Sequence, residues 1–181
     1  MLKLKDPNTS EINCPRISDI DVEISYVTDK IVRIKIVPTK LKQYEVPIQN
    51  EFKIPSYFEK VDQPRKYAID ILESDASIVI NRTDNGEKLI DTSIAGLIYC
   101  ENFIEFASYL PKDTDFYGFG ENYHKVFKHD LFYRTLPMFA RDRGVGDEKG
   151  NNYGQHPFMM GVQKDGKSFG IFFLNSNAMG K

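Results

Sequence analysis

The sequence predicts an all-β chain that folds as an antiparallel β-sandwich. Apolar and polar residues alternate in several short segments, and a period of two is typical of strands that have one face in water. Residues that favour tight turns separate neighbouring segments, as expected for hairpins. The chain also has 13 Phe and 10 Tyr residues, which favour sheets over helices. No helical periodicity extends beyond two turns.

The first predicted hairpin lies near the N-terminus. Residues 20–27 read IDVEISYV, so apolar side chains from Ile20 to Tyr26 are expected on one face of a strand. A turn at Thr28-Asp29 follows, and residues 32–36 (VRIKI) alternate in the same way. These two segments are therefore predicted to pair as antiparallel strands with one wet face.

An irregular connector is predicted after this hairpin. It contains four prolines in short succession, namely Pro38, Pro47, Pro55 and Pro64. Proline fixes φ and lacks a backbone N–H, so this density of prolines disfavours long helices.

The clearest hairpin signal is the segment 77–93, SIVINRTDNGEKLIDTS. Its tip, Asp84-Asn85-Gly86, supplies residues that tolerate a positive φ, which a tight hairpin turn requires. Ile78, Ile80 and Leu89 are expected to face the core. Further strands of the same meander are predicted at residues 66–72, 94–99 and 102–107.

The last predicted hairpin occupies residues 158–176, with the turn at Lys164-Asp165-Gly166-Lys167. Before it, the segment from Asp113 to Gly154 mixes Gly, aromatic, His and charged residues without steady alternation. A stretch of about forty residues without regular structure in a compact domain is usually a functional or interface loop. Any ligand contact made by this chain is therefore expected in this loop. Its aromatic residues fit an interface buried against another domain, because aromatic residues are enriched at such contacts; these are Phe116, Tyr117, Phe119, Tyr123, Phe127, Phe132, Tyr133 and Phe139.

Charge and composition exclude several functional classes. The 24 basic residues nearly balance the 26 acidic ones, whereas binding to nucleic acid favours a clear basic excess. No run of 18 apolar residues exists, so no membrane-spanning helix is predicted, and the N-terminal residues lack the apolar run of a signal peptide.

Two sequence features bear on cellular location. Cys14 and Cys100 have neither a metal-binding nor a redox spacing, and both a disulfide and two buried thiols remain open. Two glycosylation sequons, Asn8-Thr9-Ser10 and Asn81-Arg82-Thr83, are weak indications of a secreted protein, because such triplets also arise by chance.

The loop contains residues that could bind or catalyse. Gly118-Phe119-Gly120 and Gly144-Val145-Gly146 do not complete a phosphate-binding motif, so tight turns are expected there. The gap of five residues between His124 and His129 fits neither a helix face nor a strand face well. These two histidines and His156 are therefore expected to be solvated or hydrogen-bonded loop residues rather than metal ligands. Among the six carboxylates of the loop, no pair has a spacing that indicates catalysis; these are Asp113, Asp115, Glu121, Asp130, Asp142 and Asp147.

A series of motifs follows in a fixed order along the second half of the chain. They are Tyr117-Gly118-Phe119-Gly120-Glu121, His129-Asp130, Tyr133-Arg134-Thr135, PMFARD at 137–142, Tyr153-Gly154, His156-Pro157-Phe158, Gly166-Lys167-Ser168, Gly170-Ile171-Phe172 and LNSNAM at 174–179, preceded by YEVP at 44–47. In this order the motifs resemble the N-terminal domain of glycoside hydrolase family 31, of the maltase-glucoamylase, sucrase-isomaltase and lysosomal α-glucosidase type.

The resemblance implies a β-sandwich of the galactose-mutarotase-like type, with residues 1–181 as one domain fragment that is incomplete at its C-terminus. In this family a (β/α)8 barrel follows and carries the catalytic aspartates. Family members hydrolyse terminal α-glucosidic bonds of malto-oligosaccharides by a retaining mechanism, without metal or cofactor. The resemblance therefore implies a glycosidase parent in the secretory pathway, whereas this chain alone is expected to be inactive.

One substrate-binding residue, Asp142, is implied by the same resemblance. In the family the aspartate of the Arg-Asp pair lies on a sandwich loop at the mouth of the barrel pocket and accepts hydrogen bonds from sugar hydroxyls. A carboxylate suits this role because it only accepts hydrogen bonds and binds hydroxyl donors strongly. Two departures from the family pattern are Leu136 in place of Trp and Gly180 in place of an acidic residue. The alternative is a stand-alone sandwich that binds carbohydrate or serves as a scaffold without catalysis.

Overall fold

The computed structural model describes residues 2–3, 14–45, 63–73, 76–122, 126–131, 135–140, 142, 144, 151–175 and 177–180. The chain divides into a first unit, Met1–Pro111, and a second unit, Lys112–Lys181. Within the described ranges the regular structure is almost wholly strand, with one short 3-10 helix at Thr92–Ile94. No helix in these ranges is long and apolar enough to span a membrane.

The first unit contains eight of the described strands. They are β1 (Leu2–Lys3), β2 (Asp19–Tyr26), β3 (Val32–Pro38), β4 (Tyr67–Leu72), β5 (Ser77–Arg82), β6 (Lys88–Asp91), β7 (Leu97–Tyr99) and β8 (Ile104–Phe106). They form three antiparallel sheets in the orders β1-β2-β3, β4-β5-β6 and β7-β8.

The second unit contains the other five described strands. They are β9 (Thr114–Gly118), β10 (Pro137–Met138), β11 (Phe158–Gln163), β12 (Ser168–Phe172) and β13 (Met179–Gly180). Their sheets have the orders β12-β11-β9 and β10-β13, and every pairing is antiparallel. The predicted all-β, antiparallel fold class is therefore confirmed.

The N-terminal hairpin forms where the alternating pattern predicts it. β2 pairs with β3 from Ile20 opposite Pro38 to Tyr26 opposite Val32. At the turn the hydroxyl of Thr28 accepts hydrogen bonds from the backbone N–H groups of Lys30 (3.1 Å) and Ile31 (3.0 Å). A side-chain acceptor of this kind stabilises a turn because it binds N–H groups that no strand partner reaches.

The core of the first unit surrounds the fully buried side chain of Ile20. Its buried members come from β2, from β7 and from the residue just before β5. They are Ile20, Ala76, Leu97 and Tyr99, and Ile17, Val22 and Ile36 pack against them. Next to this cluster Cys14 and Cys100 form a disulfide with a Cα–Cα distance of 6.2 Å. The structure thus answers the question that the spacing of the two cysteines left open.

The strongest predicted hairpin is also present, as β5 and β6. Gly86 at its tip has a φ of +71° and donates its N–H to the Arg82 carbonyl at 2.9 Å. Leu89 is buried as predicted, whereas Ile78 and Ile80 are only partly buried and Val79 is more deeply buried than either. Three consecutive apolar residues do not indicate which face is inside, so alternation could not assign the core face of this strand.

The segment predicted as an irregular connector begins at Pro38, which is the last residue of β3. Its described residues 39–45 contain no helix or strand. Its other central residues, 46–62, lie outside the described part of the chain. The strands predicted at 66–72, 94–99 and 102–107 correspond to β4, β7 and β8. β7 begins later than predicted because the residues before it form the 3-10 helix.

The expectation of an irregular loop from Asp113 to Gly154 is wrong at two places. Residues 114–118 form β9, which pairs with β11 along its whole length, and residues 137–138 form β10. β9 has a single deeply buried side chain, Phe116, so its sequence carries no clear alternation. Its partner strand lies about forty residues further along the chain, and such a pairing has no local sequence signal.

Candidate functional site

The chain turns sharply where β9 ends. Gly118, Phe119 and Gly120 have φ values of +110°, +63° and +80°. A side chain at Gly118 would place its Cβ 2.2 Å from the carbonyl oxygen of Phe158, so only glycine fits this approach. The turn buries the Phe119 ring and lies within the site region that the sequence predicts from Asp113 to Gly154.

Hydrogen bonds join Glu121 to Gly154, the last residue of this region. The Glu121 N–H donates to the Gly154 carbonyl at 3.0 Å, and the Gly154 N–H donates to the Glu121 carboxylate at 2.8 Å. The Asn152 N–H also donates to the Glu121 carbonyl at 2.9 Å. Beside these bonds the buried Asn151 forms a β-bridge with Asn122. The carboxylate of Glu121 is therefore a structural acceptor.

His129 is buried beneath the same turn. Its backbone N–H donates to the Phe116 carbonyl at 2.8 Å, and its Nε2 lies 2.8 Å from the Gly118 carbonyl oxygen. Because a carbonyl only accepts, Nε2 carries the hydrogen in this contact. The ring also packs edge-on against Phe119. His129 is thus a hydrogen-bonded histidine, as the sequence predicts, and links β9 to the site region.

The other two histidines add nothing to a metal site in the described structure. His156 is exposed, and His124 lies outside the described residues. Among the described residues no group of three or more His, Cys, Asp or Glu side chains is placed to hold a metal ion.

Two carboxylates at β9 are engaged in exposed ion pairs. Asp113 accepts a hydrogen bond from the Lys164 ammonium at 2.6 Å, which lowers the pKa of Asp113. Asp115 binds the Lys128 ammonium, and this hydrogen bond raises the pKa of Lys128. These acids are paired with lysines and do not face one another as a catalytic couple would.

Asp142 is exposed and follows the short strand β10. The chain before it is anchored, because Leu136 and Met138 are buried and Met138 pairs with Met179 of β13. Leu136, which stands where the family pattern has Trp, therefore occupies a buried position. Asp130 is also exposed, and Asp147 lies outside the described residues. The predicted role of Asp142 in substrate binding stays a prediction.

An exposed apolar surface lies on one face of the β12-β11-β9 sheet. Phe158 and Phe172 occupy opposite positions on β11 and β12, and are 44% and 50% exposed. Met160, 40% exposed, follows on the same face opposite Tyr117 of β9. We call these four residues the apolar sheet face. Contiguous exposed apolar patches often mark interaction surfaces, whereas single exposed apolar residues usually do not.

The eight aromatic residues predicted to form an interface divide into four groups. Phe116 and Phe119 are buried, so they belong to the interior of the second unit and the prediction is wrong for them. Phe127 is 91% exposed and Phe139 is 41% exposed. Tyr117 is half-buried; the other three lie outside the described residues, and these are Tyr123, Phe132 and Tyr133.

Sequence reasoning did not identify the apolar sheet face as a surface. β11 begins with three consecutive apolar residues, Phe158, Met159 and Met160. Such a run is typical of a strand that is covered on both faces, so it could have indicated this surface from the sequence. Met159 is buried inside the second unit, whereas the residues on either side of it are exposed.

Comparison with known proteins gives a consistent result. A family described as the glycosyl hydrolase 31 N-terminal galactose mutarotase-like domain matches residues 21–179. Intestinal sucrase-isomaltase of Oryctolagus cuniculus is 39% identical over 151 residues, which cover 82% of this chain and 8% of that protein. Intestinal sucrase-isomaltase of Homo sapiens is 37% identical over 163 residues, covering 90% and 9%.

A more distant relative matches over a similar range. Lysosomal alpha-glucosidase of Mus musculus is 28% identical over 161 residues, which cover 88% of this chain and 16% of that protein. The chain therefore spans less than a fifth of the length of each of these three relatives.

Proposed function

The chain belongs to the glycosyl hydrolase 31 N-terminal galactose mutarotase-like domain family, and on this premise we propose that it is the N-terminal β-sandwich segment of an α-glucosidase. The parent enzyme hydrolyses terminal α-glucosidic bonds of malto-oligosaccharides by a retaining mechanism, on a (β/α)8 barrel outside this chain. The family match across residues 21–179 is the observation that carries the proposal.

The proposed role of this segment is not catalytic. A retaining glycosidase needs two carboxyl groups about 5 Å apart, one as nucleophile and one as acid. In the described structure Asp113 and Asp115 bind lysines, and Glu121 binds a backbone N–H. Contacts of this kind stabilise the fold. Both catalytic carboxyl groups are therefore assigned to the barrel.

The first proposed role is a contact with substrate through Asp142. Its exposed carboxylate follows a strand whose buried residue Met138 anchors the chain. In the parent enzyme the carboxylate accepts hydrogen bonds from sugar hydroxyls at the mouth of the pocket. A charged acceptor suits this task because hydrogen bonds to an ionised group are stronger than those between neutral groups.

The second proposed role is to brace the barrel. The apolar sheet face presents Phe158, Met160 and Phe172 to solvent in this chain, and burial against the rest of the parent removes them from water. Aromatic residues and Met are enriched at such contacts. The partner of this segment is therefore the remainder of its own polypeptide.

The parent is proposed to pass through the secretory pathway. The Cys14–Cys100 disulfide supports this location, because disulfides form and persist in oxidising compartments. Two relatives are named as intestinal and lysosomal enzymes. The proposal includes lysosomal, secreted and membrane-tethered parents.

The first test is to sequence the transcript beyond the Lys181 codon and to assay the encoded full-length protein on maltose. We expect an open frame that encodes a barrel, and proton NMR should detect the α-anomer of glucose as the first product. A stop codon there, or a full-length protein without activity, would favour the stand-alone sandwich. Titration of the isolated chain with maltose would then distinguish a carbohydrate-binding module from a scaffold.

The second test concerns Asp142. In the full-length enzyme, Asp142→Ala should lower kcat/KM on maltose by about 5- to 150-fold, since the loss of one charged hydrogen bond costs about 1–3 kcal/mol. Asp142→Asn removes only the charge and should have a smaller effect in the same direction.

The matched control is Asp165→Asn, which removes one negative charge from the exposed turn between β11 and β12. Its kcat/KM should equal that of the wild type. Equal kcat/KM values for Asp142→Ala and the wild type would remove Asp142 from the substrate site.

A further inference from the structure

We propose that Asn81 is the acceptor of an N-linked glycan. Asn81-Arg82-Thr83 is a sequon, the triplet in which an asparagine amide accepts an oligosaccharide. The inference rests on the passage through the secretory pathway given above, and it adds a modification site in the first unit. A sequon alone is common by chance, so the geometry of this one is what carries the proposal.

Asn81 lies near the end of β5, the central strand of its sheet. The residues in register with it on the two neighbouring strands are Ala68 and Lys88, and both are exposed. Antiparallel partners in register place their side chains on the same face of a sheet. Asn81 itself is half-buried, and Ser77 and Val79 further along the same face of β5 are buried. Only the end of this face around Asn81 is therefore open to water, and a bulky polar substituent on the amide would extend from that end.

The hydrogen bonding of the amide is compatible with the modification. Nδ2 of Asn81 donates to the Asp70 carboxylate at 3.2 Å. In glycosylation Nδ2 loses one proton and bonds to the anomeric carbon of the sugar, while a lipid-linked oligosaccharide donor releases its diphosphate carrier. A side-chain amide has two N–H donors, so the remaining N–H still donates to Asp70.

Thr83, the third residue of the sequon, lies in the exposed turn. Its hydroxyl donates to the Arg65 carbonyl at 3.0 Å, and its N–H donates to the Lys66 carbonyl at 3.2 Å. Both bonds belong to the folded hairpin, whereas the sequon is recognised in the extended nascent chain. The folded protein therefore keeps the sequon at its surface without requiring it for a core contact.

The disulfide that supports the secretory pathway also bears on access to the glycosylation machinery. The compartment that oxidises Cys14 and Cys100 is the one in which asparagine-linked glycans are attached. Cys100 follows Asn81 along the chain, so Asn81 emerges before this cross-link can close. The acceptor is therefore presented in a segment that the disulfide has not yet constrained.

A glycan at this position would keep one surface of the parent enzyme in water. Ala68, Asp70 and Lys88 are exposed around the acceptor, and a sugar chain there is incompatible with burial of this end of the sheet against another domain. The contact that braces the barrel is therefore made by a different surface. The apolar sheet face of the second unit, to which we assign that contact, meets this condition.

The test is expression of the chain behind a signal peptide in a eukaryotic host, with Asn8→Gln in every variant to remove the other sequon. We expect slower electrophoretic migration that peptide-N-glycosidase F reverses. The enzyme converts a glycosylated asparagine to aspartate, so peptide mass spectrometry should find aspartate at position 81. Thr83→Ser keeps the sequon and should keep the glycan, whereas Thr83→Val and Asn81→Gln should abolish it.

Secreted protein that contains the Cys14–Cys100 disulfide but carries no enzyme-sensitive glycan at Asn81 would overturn the proposal. A glycan that persists in Thr83→Val would overturn it as well. The modification precedes folding, so the readout does not depend on the stability of a variant. Because the signal peptide delivers the chain, failure of the α-glucosidase proposal would leave this result unchanged.

Discussion

Asp91 is a residue whose side chain connects several parts of the first unit. Its carboxylate accepts hydrogen bonds from the Lys88 ammonium (2.7 Å), the Ser93 hydroxyl (2.6 Å) and the Ser93 N–H (3.1 Å). Its own N–H donates to the Ser108 hydroxyl at 3.0 Å. The hydrogen bond from Lys88, followed by those from Ser93, lowers the pKa of Asp91 from 3.8 to about 2.

Asp91→Ala should lower the free energy of unfolding by about 1–3 kcal/mol, because Ser93 and Lys88 lose their acceptor. Lys88→Met is the matched control and should cost at most about 1 kcal/mol, since the lysine is mostly exposed. Chemical unfolding followed by circular dichroism measures both changes. Equal losses for the two variants would show that the bonds to Ser93 contribute nothing.

The same residue predicts a dependence on pH. Since folding lowers the pKa of Asp91, its contribution to stability is complete above the unfolded value of 3.8 and is lost as the pH falls towards about 2. The difference in unfolding free energy between the wild type and Asp91→Ala should therefore shrink over this range. A constant difference from neutral pH down to the acid limit would contradict the assignment.

At the scale of elements, the end of β9 and the turn of the β11–β12 hairpin use glycine for different reasons. Gly118 and Gly166 both have a positive φ, of +110° and +84°. A Cβ at Gly118 would lie 2.2 Å from the Phe158 carbonyl oxygen, whereas a Cβ at Gly166 would meet nothing within 4 Å. Gly166 is thus required only by backbone conformation, and Gly118 also by close packing of two strands.

Gly166→Ala should cost about 1–2 kcal/mol, the usual penalty of a left-handed conformation for a residue with a Cβ. Gly118→Ala should cost about 1–3 kcal/mol more, because the backbone of β11 must move away. Thermal unfolding of the two variants checks the order. A smaller loss for Gly118→Ala than for Gly166→Ala would contradict the close approach of β9 to β11.

At the scale of the whole chain, the disulfide is the covalent link between distant parts of the first unit. Cys14 and Cys100 are 86 residues apart in sequence, and Cys100 is fully buried. A cross-link that closes a long loop removes many conformations from the unfolded chain. For a loop of this length the chain-entropy relation gives a stabilisation of about 4–5 kcal/mol.

The double variant Cys14→Ala/Cys100→Ala should therefore lose about 4–5 kcal/mol of unfolding free energy, measured by urea unfolding without reductant. Treatment of the wild type with dithiothreitol should produce most of the same loss, which separates the cross-link from the change of side chain. An unchanged urea midpoint in both experiments would contradict a stabilising disulfide.

The apolar sheet face predicts how the isolated chain behaves in solution. Because Phe158, Met160 and Phe172 are exposed, the chain alone should bind an apolar fluorescent dye or self-associate. The double variant Met160→Lys/Phe172→Lys should reduce dye fluorescence strongly. Phe127→Lys removes a more exposed side chain outside this face and should reduce it little.

Light scattering and dye titration measure these effects. A monodisperse wild-type chain that melts cooperatively and binds no dye would instead favour a self-sufficient module. The same measurements on the full-length parent should show little dye binding, because the proposed brace covers this face.

Much of the fold is readable from local sequence. The alternation in residues 20–27 predicts β2, and the turn residues Asp84-Asn85-Gly86 and Lys164–Lys167 predict hairpins that are present. The family motifs at 117–121 and 156–158 predict membership of the matched family. These signals are local because period and φ preference depend on a few neighbouring residues.

Only the tertiary structure decided which distant segments meet. It paired β9 with β11, buried Phe116 and Phe119 rather than leaving them at a surface, and joined Cys14 to Cys100. The substrate contact of Asp142 stays a prediction. Long-range pairing is the sum of many weak contacts between segments far apart in sequence, and no short window of residues contains that sum.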